Sequence, residues 1–242
     1  MALFCAVFLL FGAAPAIPPV SHAPIPILVY HHMRDNAGWA PTTWSAKMSV
    51  SPKNFEKQMQ WLDDHGYTTV TLDTFVAIMR GETAGPAKPV VITFDDNNAT
   101  QFTVAFPILQ KHHQIAVFYL ITNRLDNKSF IVREQVKQLM DAGMDIESHT
   151  VTHSTLTALT TMKLDSELTE SKRVLEELTG KPIRHIAYPS TAHNKTVREH
   201  AAKAGYVTGT IMDPRPTTAK DDLLKLPRIM MIDSTNLGKV LP

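Results

Sequence analysis

The 242-residue sequence has a single cysteine, Cys5. It lies in an apolar N-terminal stretch, so a chain processed beyond that stretch would keep none, which excludes a disulfide framework and a cysteine-ligated metal centre. Charge imbalance is lacking too. Lys and Arg number 24 against 23 Asp and Glu, a net charge of +1, and this leaves no electrostatic footprint for nucleic acid or an anionic membrane surface. There is no low-complexity tract and no break in composition, so one domain is expected rather than two. No apolar run is long enough to span a bilayer comfortably: residues 1–17 are uncharged and apolar but short. With small residues towards their end, they fit a secretory segment cleaved between Ala14 and Ala23, although no Lys or Arg precedes them. Residues 1–23 are therefore read as signal peptide and linker on an exported protein with no stable membrane span after cleavage, and 24–242 as the working domain.

What is present is a recurring order of helix, glycine and strand. His65-Gly66-Tyr67, Ala142-Gly143-Met144 and Ala204-Gly205-Tyr206 each place glycine where a helix closes in the left-handed conformation before a strand. Strands are also expected at 27–30, 89–94, 115–121, 183–188 and 228–232. Helices are expected from Ser51-Pro52 to Gly66 and at 73–80, 99–111, 132–142, 163–179 and 194–204. The helix at 163–179 is the clearest, because Leu164, Leu168, Leu175 and Leu178 share one face. Residues 33–50 show no sustained period and read as a long loop. Alternation of this kind predicts an α/β fold, an irregular (β/α) barrel of about seven parallel strands.

The chain is organised around Thr93-Phe94-Asp95-Asp96-Asn97, two acids at the end of a β-branched run that is apolar on both parities. Strand tips of this polarity carry the chemistry in parallel β/α folds. A second such tip carries Ser148-His149-Thr150-Val151-Thr152-His153. Separately, each has a bland reading: one acid caps a helix while the other is solvated, and both histidines are surface residues. Together they offer two imidazoles and two carboxylates on one rim. One Asp with two His makes an open three-ligand site for a divalent metal of the zinc type, and the other Asp is left as a base.

These segments, with Ile186-Ala187-Tyr188-Pro189 and Leu226-Pro227-Arg228-Ile229, resemble the ordered motifs of the polysaccharide deacetylase (NodB-like) family, carbohydrate esterase family 4. The leading Leu28-Val29-Tyr30-His31-His32 looks like its poly-N-acetylglucosamine deacetylase subgroup. The resemblance implies a metal-dependent hydrolase that removes acetyl groups from N-acetylated sugar polymers. By position it implies Asp96, His149 and His153 as metal ligands and Asp95 as general base. Arg228 would orient Asp95, the Ser190 N–H would receive the oxyanion, and His31, preferred over His32, would be the general acid. Tyr188, Pro189, Asn97, Trp39 and Trp44 are candidate substrate contacts. The tryptophans could equally pack on the barrel, and His112-His113 reads as a helix end favoured by the dipole.

The sequence departs from the family pattern in four places. Asn97-Asn98 stands where glycine usually follows the acid pair, and Ser190-Thr191 where an aromatic and glycine are common. Ala187 replaces an arginine found in some members. No late Leu-x-His segment occurs, and the acid role therefore falls on His31. Two other activities remain open from sequence: O-deacetylation of a hemicellulose, and saccharide binding with weak catalysis.

Overall fold

The computed structural model describes residues 23–35 and 43–241, with the side chains of Trp44 and Ser45 excepted. The stretch 1–22, on which the signal-peptide reading rests, and Trp39 lie outside the described residues, as does the Trp44 side chain. Among the described residues no helix is long and apolar enough to cross a membrane.

Seven parallel strands close into a barrel. Ile27–Tyr30 pairs on one side with Pro89–Phe94 and on the other with Leu226–Met230. The circuit is completed through Val117–Leu120, Asp145–Ser148, His185–Ala187 and Thr208–Met212. A two-residue strand, Thr68–Thr69, joins only the start of Pro89–Phe94. The two-residue period of a strand sorts its side chains into two sets. Leu28, Tyr30, Ile92, Phe94, Phe118, Ile146 and Ile186 pack outward against the helices. Ile27, Val91, Val117, Tyr119 and Ala187 form the lumen, where Phe75 and Val76 of the helix Leu72–Met79 join them. Strands buried on both faces leave no polar parity, which is why Pro89–Phe94 reads as a continuous apolar run.

The helix boundaries follow local chemistry. Ser51 caps Pro52–Asp64, its Oγ accepting from the Asn54 N–H and donating to Asp233 Oδ1 at 2.7 Å. Gly66, Gly143 and Gly205 have φ of 72°, 82° and 91°, the left-handed closure expected from sequence. Gly209 is required for another reason: a Cβ there would lie 2.3 Å from the Tyr188 hydroxyl oxygen.

Two expectations are corrected. The stretch 99–111 is not one α-helix: Gln101–Ala105 is a π turn, followed by the α-helix Phe106–Lys111. Pro107 has no N–H to continue an α ladder, and the Phe106 N–H reaches back five residues to the Gln101 carbonyl. The supposed long loop at 33–50 contains a helical turn, Trp44–Lys47, and a parallel pairing of His32–Met33 with Ser49–Val50. Two-residue strands are too short to carry a period.

The lumen also holds a buried acid. Glu147 Oε2 accepts from the backbone N–H groups of Arg184 and His185 at 3.0 and 2.8 Å. Burial, then neighbouring Asp145, push its carboxyl well above the usual range despite those bonds. A carboxyl raised by folding contributes stability below its unfolded pKa and loses it as pH rises through the folded value. Glu147→Gln keeps the acceptor and cannot ionise. The variant should lose less stability than the parent as pH rises above the ordinary carboxylate range, measured by urea unfolding across pH; parallel curves would refute this.

Candidate active site

The chain turns over at the end of Pro89–Phe94. The Asp95 N–H continues the ladder to the Tyr30 carbonyl at 3.0 Å, and Asp96 and Asn97 then adopt φ of 74° and 42°. This left-handed turn sends the two carboxylates to different partners. Asp95, 3% exposed, takes both ends of the Arg228 guanidinium, with Nη1 to Oδ1 at 2.7 Å and Nη2 to Oδ2 at 2.6 Å. Arg228, on a barrel strand and 1% exposed, also donates to Thr93 Oγ1 at 3.1 Å. Burial opposes the charge on Asp95, but Arg228 outweighs it and holds the carboxyl below the usual range.

Asp96 faces the histidines. Its Oδ1 is 3.6 Å from His149 Nε2 and 3.3 Å from His153 Nε2. One ligand atom from each of the three lies within 4.8 Å of the others. The His149 Nδ1–H donates to the Ala187 carbonyl at 2.8 Å, which fixes the ring and aims Nε2 at Asp96. Two imidazole nitrogens and a carboxylate oxygen converging this closely fit a divalent cation of the zinc type. Burial works against ionised Asp96, yet His149 above all, with His31 and His153, holds its carboxyl well below the usual range.

Six of the seven described non-glycine residues with positive φ are Asp96, Asn97, Thr150, His153, Ser190 and Thr191. Backbone held in sparsely populated conformations collects at working sites, where surrounding contacts over-determine it. Here Glu167 supplies such contacts from the helix Thr161–Thr179, its Oε2 accepting the N–H groups of Val151 and Thr152 at 2.9 Å each. Gln101, fully buried, donates to the carbonyls of His31 and Asp95 from the π turn. Neither was anticipated. For Glu167 a signal exists: it sits between Leu164 and Leu168 on the face that the helix buries.

A cavity of about 490 Å³ opens over these groups, lined by Asp95, Asp96, His149, His153 and Arg228 together with His31, His32, Tyr188, Ser190 and Thr191. His31 is buried, its Nδ1 has no hydrogen-bond partner among the described residues, and burial pulls its pKa down to about 4. It is therefore neutral at pH 7, not charged as the acid role would suggest. Arg124 also lines the cavity, unforeseen from sequence, with Nη1 3.3 Å from the Asp96 carbonyl and its guanidinium 4.6 Å from the Phe130 ring centroid.

Of three expected substrate contacts, Tyr188 lines the cavity and Asn97 and Pro189 do not. Asn97 is fully buried; its Oδ1 accepts from the Ile121 N–H at 3.2 Å, and its carbonyl from the Ile131 N–H at 2.7 Å. It braces the turn from beneath, where a side chain with its own acceptor replaces glycine. Pro189 is buried and does not line the cavity. Tyr188 offers its ring as a wall, because its hydroxyl donates to the Leu224 carbonyl at 3.1 Å.

The Polysaccharide deacetylase family profile matches residues 82–209, a span that carries both acids, both histidines and Tyr188-Pro189-Ser190 but neither His31 nor Arg228. The fold is similar to Streptococcus pyogenes deacetylase PplD, solved in complex with acetate, at a TM-score of 0.84 and 28% identity, covering 91% of this chain and 99% of that one. It is similar to a Bacillus cereus polysaccharide deacetylase at a TM-score of 0.80 and 31% identity, over 90% of this chain and 67% of that one. In sequence it is 29% identical over 197 residues to the poly-beta-1,6-N-acetyl-D-glucosamine N-deacetylase of Staphylococcus epidermidis, covering 76% of this chain and 68% of that protein. With this profile spanning more than half of its length, and the acids and histidines that the profile covers gathered at one barrel mouth, the chain belongs to the polysaccharide deacetylase family.

Proposed function

We propose that this protein is an exported, metal-dependent hydrolase that removes N-acetyl groups from a β-linked N-acetylglucosamine polymer. The observation that carries the reading is the division of labour at the acid pair: Asp96 faces two imidazoles, and Asp95 is locked to Arg228. Asp96, His149 and His153 would hold the ion, for which zinc suits the ligand set best. When bound there, a divalent ion would supply Lewis acidity, lowering the pKa of a water and polarising the acetyl carbonyl. Asp95, kept ionised and oriented by Arg228, takes the proton of the attacking water. The Ser190 N–H, on the strained turn at the cavity wall, meets the negative charge that grows on the carbonyl oxygen. His31 hands a proton to the departing amine. Burial holds the His31 pKa down at about 4, so His31 serves as the acid only after taking up a proton during turnover, and the attacking water is the source of protons that the reaction itself supplies.

Support for the substrate comes from the staphylococcal relative, whose name specifies a poly-N-acetylglucosamine, and from PplD, which holds acetate, the product of such a reaction. The test is acetate release from β-1,6- and β-1,4-linked N-acetylglucosamine oligomers, peptidoglycan and acetyl-xylan, with metal content measured on the same sample. Release from an N-acetylated glycan is expected. Release from acetyl-xylan alone would replace the reading with an O-acetyl esterase, and tight glycan binding without acetate would make the protein a lectin.

A further inference from the structure

One flank of the barrel mouth differs in kind from the rest. Met212 and Met230 end the strands Thr208–Met212 and Leu226–Met230, and with Asp213, Pro214 and Arg228 they line a second hollow of about 270 Å³. Met212 and Arg228 line the catalytic cavity as well, so the two spaces share a wall. Met212 stands opposite Arg228 in the strand register. Met230, two residues beyond Arg228, faces the same way and lies one step nearer the mouth. A third methionine, Met48, lines the catalytic cavity itself.

Arg228 Nε lies buried in the wall of this hollow without a hydrogen-bond partner among the described residues, and the other charged groups beside it have partners. The Asp213 carboxylate lies 3.2 Å from Arg215 Nε, and its N–H donates to the Arg228 carbonyl at 3.1 Å. Both terminal nitrogens of Arg228 point to Asp95. Apart from that one nitrogen, what remains is thioether and methylene surface without an aromatic face. Sugar rings need stacking faces and unspent hydrogen-bonding groups, whereas alkyl chains need neither. Methionine, unbranched and polarisable, adapts its shape to different guests.

We propose that this hollow is an acyl-specificity pocket, which receives the hydrocarbon end of N-acyl groups longer than acetyl and lets the enzyme hydrolyse N-propionyl and N-butyryl amino sugars. The proposal rests on the amide-hydrolase reading above. The overall step is the same for each acyl group: water adds its oxygen to the carbonyl carbon, the C–N bond breaks, and the nitrogen ends with both of water's protons, giving a carboxylate and an ammonium. In this proposal an acetyl methyl ends beside the carbonyl within the catalytic cavity, and two more methylenes extend the chain towards the Met212 side that cavity and hollow share.

The experiment compares kcat/KM for N-acetyl, N-propionyl and N-butyryl glucosamine oligomers in the wild type and in Met230→Trp, which fills the hollow. Each methylene accommodated should raise kcat/KM by up to about fourfold, and the Trp variant should lower the butyryl-to-acetyl ratio by about tenfold or more. A kcat/KM that falls steeply with chain length in the wild type, or a ratio indifferent to the Trp, would overturn the pocket while leaving deacetylation standing. A second measurement is independent of turnover. With methyl-labelled methionine, butyrate but not acetate should shift the resonance of Met230, which lines the hollow and not the catalytic cavity, and no shift overturns the proposal. If no acyl group is released from any substrate, the hydrolase reading is what fails, and the Met230 resonance alone decides the pocket.

Discussion

Asp95→Asn should lower kcat by about 10²–10⁴-fold, the range over which a positioned base contributes, while leaving bound metal close to one equivalent. The reason is geometric. Asp95 has both oxygens on Arg228 and faces the cavity, whereas the proposed ligands of the ion are Asp96 and the two histidines. Asparagine keeps the shape and one acceptor but has no affinity for a proton. The variant should lose stability as well, because Arg228 is left as a buried charge with half a partner; breaking such a pair costs about 3–5 kcal/mol when one side is removed entirely. The double variant Asp95→Asn/Arg228→Met removes both charges and should recover part of that loss without recovering any activity. Folding lowers the Asp95 pKa, so the pair's contribution is present above the ordinary carboxylate pKa and is lost as pH falls through the lowered value. The double variant should therefore unfold with a shallower dependence on acid. Steady-state kinetics, metal content and urea unfolding as a function of pH check these points. Full turnover in Asp95→Asn would remove it from the base role.

His153→Ala should lose the metal and the activity together. His153 belongs to the loop after Asp145–Ser148 and is only half-buried, so its removal exposes little new core, and the fold should survive. His149→Ala is a harsher change: the ring is buried and its Nδ1–H occupies the Ala187 carbonyl, and truncation leaves a void and an unpaired acceptor. Chelation of the wild type should stop acetate release, with recovery on adding a divalent ion. An ion present at a thousand times its Kd stabilises the fold by about 4 kcal/mol, so chelator should also lower Tm, and it should do so much less in His153→Ala. A His153→Ala protein that keeps both stoichiometric metal and turnover would sink the ligand assignment.

Much of the fold was legible in the sequence because its signals are local. Glycine at the close of each helix, apolar runs too short for helices and the leucine stripe from Leu164 to Leu178 need no knowledge of distant residues. The gathering of acids and imidazoles at one mouth was legible for a related reason. Asp95, Asp96, His149 and His153 are polar side chains at the tips of apolar strands, and strand tips of one polarity share a rim in any parallel barrel.

Other features depended on what lies beside a residue rather than along the chain from it. Glu167 and Gln101 are ordinary helix formers whose importance comes from the loop and carbonyls they meet across the fold. The π turn at Gln101–Ala105 combines Pro107 with those contacts. Asn97 passed for a substrate contact until its burial was visible. The charge on His31 could not be judged from its type, because desolvation depends on enclosure by the whole barrel. By itself, then, the sequence determined the strands, the helices and the chemical types at the mouth, since periodicity and side-chain chemistry act over a few residues. Only the tertiary structure decided which acid meets the histidines and which meets Arg228, because a left-handed turn at Asp96 and an arginine 133 positions away settle that, and both are products of closing the barrel.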